Sequence, residues 1–180
     1  VFTLLFDEER CGKNFSRERI RTSALQRYPR WILRRPQMLL SKMPEAIESF
    51  DLSSFDLVVS SSGAFSHGAI TSPKTKHLCY CHSPMRYAWD YTHRYLAEKN
   101  IPGLLRFFLE RKLSQVRLWD SVAADRPDRY LANSKHTAKR LKKYYRVEAP
   151  VLYPPVDISR FSVSKRDEGY FVVVSALSAF

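Results

Sequence analysis

The chain has 180 residues, 44% of them hydrophobic and 13% aromatic, with 30 Lys and Arg against 18 Asp and Glu, a net charge of +12. That length and apolar content suit one ordinary domain with a real core and exclude wholesale disorder. No apolar run approaches the ~18–20 residues needed to span a bilayer, and the positive balance points to an anionic partner such as nucleic acid, anionic lipid or a phosphorylated substrate.

"VFTLLF", Val1–Phe6, reads as a buried strand at the very start, with no methionine before it. The three cysteines are Cys11, Cys79 and Cys81. An odd count with no signal peptide ahead of it favours free thiols in a reducing compartment. Pro44–Phe50 has helical character. Phe55–Ser60 is an apolar strand running into Ser60-Ser61-Ser62-Gly63. Such small residues let backbone N–H groups approach an anion or a sugar, although serine- and glycine-rich turns also close strands for local reasons. His77–His82 is the next strand, Gly103–Val122 a long helix and Arg129–Ala132 a further strand. Ser134–Tyr145 is a helix that Asn133 or Ser134 can cap. Pro150–Tyr153 is a strand stopped by Pro154-Pro155, since proline gives a ladder no N–H. Ser162–Glu168 reads as a polar linker, and Tyr170–Ser175 as the first strand of a second domain.

Several of these strands are continuously apolar, which fits strands covered on both faces in a parallel sheet. Strand and helix alternate, so the expected class is α/β with right-handed crossovers. Phe55–Ser60, His77–His82 and Arg129–Ala132 are expected to be neighbours. With an apolar strand at either end, the sequence reads as a piece cut from a longer protein.

"KHLCYCHSPMRYAWD", Lys76 to Asp90, packs two histidines and two cysteines together. On a strand, alternate residues face opposite ways. His77, Cys79 and Cys81 then share one face; Leu78, Tyr80 and His82 share the other. Zinc knuckles use C-x₂₋₄-C pairs plus a distant second pair, and thioredoxin-like redox motifs use C-x-x-C. Neither spacing occurs here, so no metal is expected and the cysteines are expected to pack as small hydrophobes. His82 stands apart, at the carboxyl end of its strand, where an open α/β sheet presents functional side chains. The sequence alone leaves it either a core histidine or a site residue.

"HLCYCHSPMRYAWD", "YLANSKHTAKRLKKYY", "VLYPPVDISRF" and "YFVVVSALSAF" follow one another in the order and spacing of family 4 glycosyltransferases. The chain resembles the bacterial mannosyltransferase-like branch, which acts on lipopolysaccharide or exopolysaccharide; "FDLVVSSSGAFSHGAI" and "PEAIESFDLSSFD" fit that branch too. The resemblance implies a GT-B fold, two Rossmann-like domains around a cleft. Residues 1–161 would be part of the N-terminal, acceptor-side domain, 162–168 the linker, and 169–180 the first strand of the nucleotide-sugar domain. A fragment of that kind would be inactive alone. Family members carry out retaining, metal-independent transfer of a hexose from a nucleotide sugar, for this branch mannose from GDP-mannose, to a lipid-linked or polysaccharide acceptor. His82 would line the cleft as the catalytic residue. Ser61, Ser62, Gly63, Arg86, Asp90, Asn133 and Ser134 would contact substrate. Many relatives have arginine after the strand serine, where this chain has Ala176.

The charge concentrates in Cys11–Arg35, in Gly103–Val122 and in Ser134–Arg146. Arg106, Arg111, Arg117, Lys139, Arg140, Lys142 and Lys143 are candidates for a surface that meets an anionic membrane, each contributing about 1 kcal/mol near such a surface. Solvated helix faces would look the same. The expected location is cytoplasmic, peripheral on the membrane. The alternative is a non-catalytic basic module for nucleic acid or anionic surfaces. No helix-turn-helix, zinc finger or aromatic ribonucleoprotein signature supports nucleic acid.

Overall fold

The computed structural model describes residues 1–11, 16–98, 102–163, 166 and 169–173. It is an α/β structure with parallel strands, as expected. In chain order the elements are β1 (Phe2–Thr3), α1 (Glu8–Cys11), β2 (Arg21–Thr22), α2 (Arg30–Leu33), α3 (Met43–Glu48), β3 (Leu57–Ser62), β4 (Lys76–Cys81), α4 (Thr92–Glu98), α5 (Gly103–Ala123), β5 (Arg129–Ala132) and α6 (Lys135–Tyr144), with short 3₁₀ turns between them.

β3, β4 and β5 form a parallel sheet in that spatial order, with Ser62 opposite Cys81 and Cys81 opposite Ala132. The expected neighbours are therefore neighbours. β3 is displaced toward the serines relative to the expected Phe55–Ser60, because its ladder opens at the Asp56 carbonyl, which accepts from Lys76 N–H at 2.8 Å. Pro150–Tyr153 is not a full strand. Only Val151 bridges Ala132, through Ala132 N–H to Pro150 C=O and Leu152 N–H to Ala132 C=O, both 2.9 Å. The prolines on either side cannot extend that ladder.

Val1–Phe6 also shrinks, to a two-residue pairing with β2 in a separate sheet. Side chains take over where backbone pairing stops. Ser23 Oγ donates to Leu4 C=O at 2.7 Å, and the Gln26 amide accepts from Phe6 N–H at 2.8 Å while donating to Phe6 C=O at 3.1 Å. Tyr170–Val173 forms no strand. Residues 174–180, including Ala176, and residues 164, 165, 167 and 168 of the expected linker lie outside the described residues.

Among the described residues, the three-stranded sheet is packed on one face and largely open on the other. Ser60, Ser62, His77, Cys79, Cys81, Tyr130 and Ala132 are buried. Their cover includes Ala124 just after α5, Leu141 from α6 and Tyr145 just after that helix. On the other face Leu57 is 58% and Val59 62% exposed, while Leu78, Tyr80 and Leu131 are half-buried. The continuous apolar character of these strands thus comes from one packed face and one bare face among the described residues.

α5 is 21 residues long, about 32 Å at 1.5 Å per residue. Its second half carries the core residues Leu113, Val116, Asp120 and Ala123. Its first half extends past the core, leaving Leu105, Phe107 and Phe108 exposed beside Arg106, Arg111 and Lys112. Gly68 lies against this helix; a Cβ there would meet the Trp119 ring at 2.4 Å.

Candidate active site

The parallel register brings the carboxyl ends of β3, β4 and β5 side by side. There His82 N–H donates to Ser62 C=O at 2.8 Å, Thr137 Oγ1 donates to His82 C=O at 2.9 Å, and Asn133 N–H donates to Cys81 C=O at 3.1 Å. Ser61, Gly63, His82, Asn133 and Ser134 therefore gather on one edge. Their backbone is fixed by the sheet and by the first turn of α6. Ser134, rather than Asn133, caps that helix, accepting from Thr137 N–H at 3.1 Å, and its hydroxyl also reaches the Asn133 Oδ1.

His82 is exposed and on the face opposite the buried His77, Cys79 and Cys81. Its Nε2 lies 2.8 Å from Ser61 Oγ. The Tyr80 ring stands edge-on to the imidazole at 5.2 Å. An imidazole so placed can give or take a hydrogen bond with a hydroxyl-bearing ligand from the open side of the sheet.

The other expected site residues divide. Ser62 is buried and turns inward, 3.3 Å from His67 Nδ1 and accepting His67 N–H at 3.3 Å. Gly63 is exposed, and a side chain there would meet nothing within 4 Å, so packing does not require a glycine. Arg86 is exposed on the loop that follows β4. Asp90 is held in an ion pair by Arg140, whose second amino group donates to Pro84 C=O at 3.1 Å. Burial alone would raise the Asp90 carboxyl, but the Arg140 hydrogen bond and charge outweigh it and hold it below the ordinary value.

That pair corrects the expected basic surface. Arg140 is only 7% exposed and belongs to the interior. Its helix turns Thr137, Arg140 and Leu141 toward the core, three and four residues apart. Arg117 is also engaged, donating to Ala88 C=O and to Thr92 Oγ1. Lys142 pairs with Glu148 at 2.7 Å on the surface. Arg106, Arg111, Lys139 and Lys143 are exposed or half-buried at the surface.

Beneath the edge lies a polar core that the sequence did not announce. Asp120 Oδ2 accepts from Trp89 Nε1 at 2.7 Å and from Tyr145 OH at 2.8 Å. Its Oδ1 lies 3.4 Å from His67 Nε2, and neither of these two atoms makes a hydrogen bond. Burial raises the Asp120 carboxyl to about 6 against those two donors, and burial lowers the His67 imidazole to about 4. The near-neutral state is thus a carboxylate beside an uncharged imidazole. Burial also raises the Cys79 and Cys81 thiols, to about 11 and about 12, which keeps them protonated and unreactive. His77, buried on the same face, binds Ser60 Oγ through Nε2 at 2.8 Å.

Among the described residues, no three His, Cys, Asp or Glu side chains group so as to hold a metal ion. A pocket of about 740 Å³ opens elsewhere, beyond β1, lined by Phe6, Arg17, Tyr28, Arg30 and Arg34 among others. None of the expected site residues lines it. No described helix is long and apolar enough to cross a membrane.

The comparison with protein families supplies the assignment. Residues 4–160 match the model of Glycosyltransferase Family 4. The chain belongs to that family. The match covers every element from α1 to α6 and the whole edge around His82, and it supports a glycosyltransferase-type function. No curated protein and no solved structure matches the chain. In a family 4 glycosyltransferase domain, the Ser61–His82 edge is a chemically equipped rim, and the loop from Ser83 to Asp90 beside it is pinned from below by Asp120 and Arg140.

Proposed function

We propose that this family 4 glycosyltransferase transfers a hexose, mannose, from GDP-mannose to a lipid-linked or polysaccharide acceptor, with retention at the anomeric carbon and without a metal. The observation that carries the reading is His82. It is exposed at the carboxyl end of β4 and bonded to Ser61 from the neighbouring strand. Ligands of open α/β sheets bind at that edge. The mannose assignment draws on the spacing of "HLCYCHSPMRYAWD" and "YLANSKHTAKRLKKYY".

In the proposed reaction the bond from the anomeric carbon to the diphosphate oxygen breaks as the acceptor oxygen forms its bond on the same face. The acceptor proton passes to the departing diphosphate. His82 orients the sugar by a hydrogen bond and need not transfer a proton. Asn133, on the same rim, and Arg86, on the loop that follows β4, are the proposed contacts for donor or acceptor hydroxyls.

We further propose that the acceptor is met at an anionic membrane on the cytoplasmic side. The exposed Leu105, Phe107 and Phe108 alternate with Arg106, Arg111 and Lys112 along the projecting half of α5. That combination suits the headgroup region of a bilayer.

The decisive assay is transfer of labelled mannose from GDP-mannose in the presence of a chelator, comparing the wild-type enzyme with His82→Ala. A fall of roughly 10–10³-fold, with the fold intact, is the expected result for loss of an orienting group. Unchanged turnover in the variant would remove His82 from the reaction. Dependence on a divalent cation would overturn the metal-free reading.

A further inference from the structure

We propose that Ser61 is a positioning residue for His82: its hydroxyl occupies Nε2, so that Nδ1 is the nitrogen presented to the sugar. This rests on the reading above that His82 meets the substrate. Ser61 and His82 lie on different strands, and Ser61 Oγ is 2.8 Å from Nε2. Both backbones are fixed. Ser61 is paired with Tyr80 in the ladder, and its carbonyl accepts from Ser66 Oγ at 2.9 Å. His82 is held through its N–H by Ser62 and through its C=O by Thr137. The Tyr80 ring stands edge-on to the imidazole, at 88°. Tyr80 is tied in turn, its hydroxyl donating to Leu152 C=O at 2.9 Å.

The ring is thus held at one nitrogen and along one side. Among the described residues, no hydrogen bond reaches Nδ1. Which nitrogen carries the proton is set by the bond the other makes. If Ser61 donates to Nε2, the proton sits on Nδ1 and His82 donates to a sugar oxygen. If Ser61 accepts, Nδ1 accepts from a sugar hydroxyl. In both cases the recognised chemistry is a sugar hydroxyl or ring-substituent oxygen, and the contact atom is Nδ1. The exposed Ser61 hydroxyl is then not itself a free ligand contact, although its position among the small residues closing β3 invites that assignment.

The test compares Ser61→Thr with Ser61→Val, which are nearly equal in shape and differ in the hydroxyl. Ring ¹⁵N shifts of His82 are read by NMR on the chain without substrate, and turnover is read on the enzyme with GDP-mannose. The wild type and Ser61→Thr should show one well-defined pair of ring shifts. Ser61→Val should show averaged shifts of interconverting tautomers, and kcat should fall about tenfold, as for loss of one orienting hydrogen bond. In a double-mutant cycle, Ser61→Val should add nothing to His82→Ala.

Unchanged His82 shifts in Ser61→Val would overturn the positioning role. Additive losses in the cycle would also overturn it, and would make Ser61 a substrate contact in its own right. Altered shifts together with full turnover in both Ser61→Val and His82→Ala would leave the pairing standing and sink instead the reading that His82 meets the sugar. Ser61→Ala, smaller and without a hydroxyl, serves in place of Val if Val disturbs the fold.

Discussion

Asp120, on α5, accepts the indole N–H of Trp89 at 2.7 Å across 31 residues of sequence. The bond ties α5 to the loop that follows His82, and the Tyr145 hydroxyl brings the end of α6 to the same carboxylate at 2.8 Å. Three elements around the rim therefore share one buried anion. A group of this kind, fully satisfied, fixes geometry; with one partner missing, it becomes a liability.

The pH dependence of stability should carry the signature of that anion and of its neighbour His67. The Asp120 carboxyl is raised from 3.8 to about 6 in the fold, so its contribution is fully present below 3.8 and is lost as pH rises through about 6. The His67 imidazole is lowered from 6.5 to about 4, so its contribution is present above 6.5 and is lost as pH falls through about 4. On acidification one group gains what the other loses, and between about pH 6 and 4 the pair should leave stability nearly level. Asp120→Asn keeps an acceptor for Trp89 and Tyr145 but removes the compensation. Urea unfolding of that variant should show stability falling more steeply than the wild type's as pH drops through the same interval, because the His67 loss is no longer offset. A profile parallel to the wild type would mean that the two groups do not titrate as described.

Arg140→Ala should destabilise the protein although it removes a charge from a chain of net charge +12. The guanidinium is buried, pairs with Asp90 and donates to Pro84 C=O. Deleting it leaves that carbonyl and carboxylate without their partner. A wholly buried pair would lose about 3–5 kcal/mol; Asp90 is partly exposed, so a loss of about 2 kcal/mol is expected. Arg140→Lys should recover little, because one ammonium cannot reproduce the forked contact to Asp90 and Pro84. Arg140→Ala with an unfolding midpoint equal to that of Lys139→Ala would contradict this placement.

Much of the rim was legible in the sequence because strand alternation is strict. Once Lys76–Cys81 is a strand, His82 and the two cysteines must part company, and β3 and β5 are its expected neighbours; the register itself comes from the structure. A cap by Asn133 or Ser134 was legible from residue type, and the structure selects Ser134. Arg140 was not, because a run of like charges conceals which one turns inward. The signal lay in its spacing from Thr137 and Leu141, which marks a buried helix face inside the basic segment. The β1–β2 pairing was hidden because the Gln26 side chain substitutes for part of a strand. The bare face of the sheet was hidden because valines and leucines read alike whether a helix covers them or not.

Cys79→Ala and Cys81→Ala should behave oppositely to His82→Ala. Both thiols are buried and held protonated. Each substitution should lower stability by about 1 kcal/mol through lost packing, with turnover per folded molecule near that of the wild type. Native protein should also resist alkylation at these two positions until it unfolds. Rapid native labelling of Cys81, or loss of turnover without loss of stability, would show that the face assignment is reversed.

The projecting half of α5 should govern attachment to membranes more than the basic face of α6 does. Leu105, Phe107 and Phe108 can enter the interface while Arg111 and Lys112 meet anionic headgroups; Arg106 is paired with Glu110 at 2.9 Å. α6 offers Lys139 and Lys143 at its surface, but its Arg140 is buried, Lys142 is paired with Glu148, and its exposed surface contributes no comparable aromatic residue. Co-sedimentation with phosphatidylserine vesicles should therefore fall several-fold in Phe107→Ser/Phe108→Ser. It should fall less in Lys139→Gln/Lys143→Gln. Binding of the wild type should weaken as salt is raised and the Debye length shortens toward ~3 Å at about 1 M, and it should be weaker on neutral phosphatidylcholine at every salt concentration. If the aromatic pair can be removed without effect while the lysine pair cannot, contact is made by charge on α6 alone, and the overhang of α5 serves some other partner. Equal binding to neutral and anionic vesicles would exclude the electrostatic part of the reading, because Arg111 and Lys112 would then gain nothing from anionic headgroups.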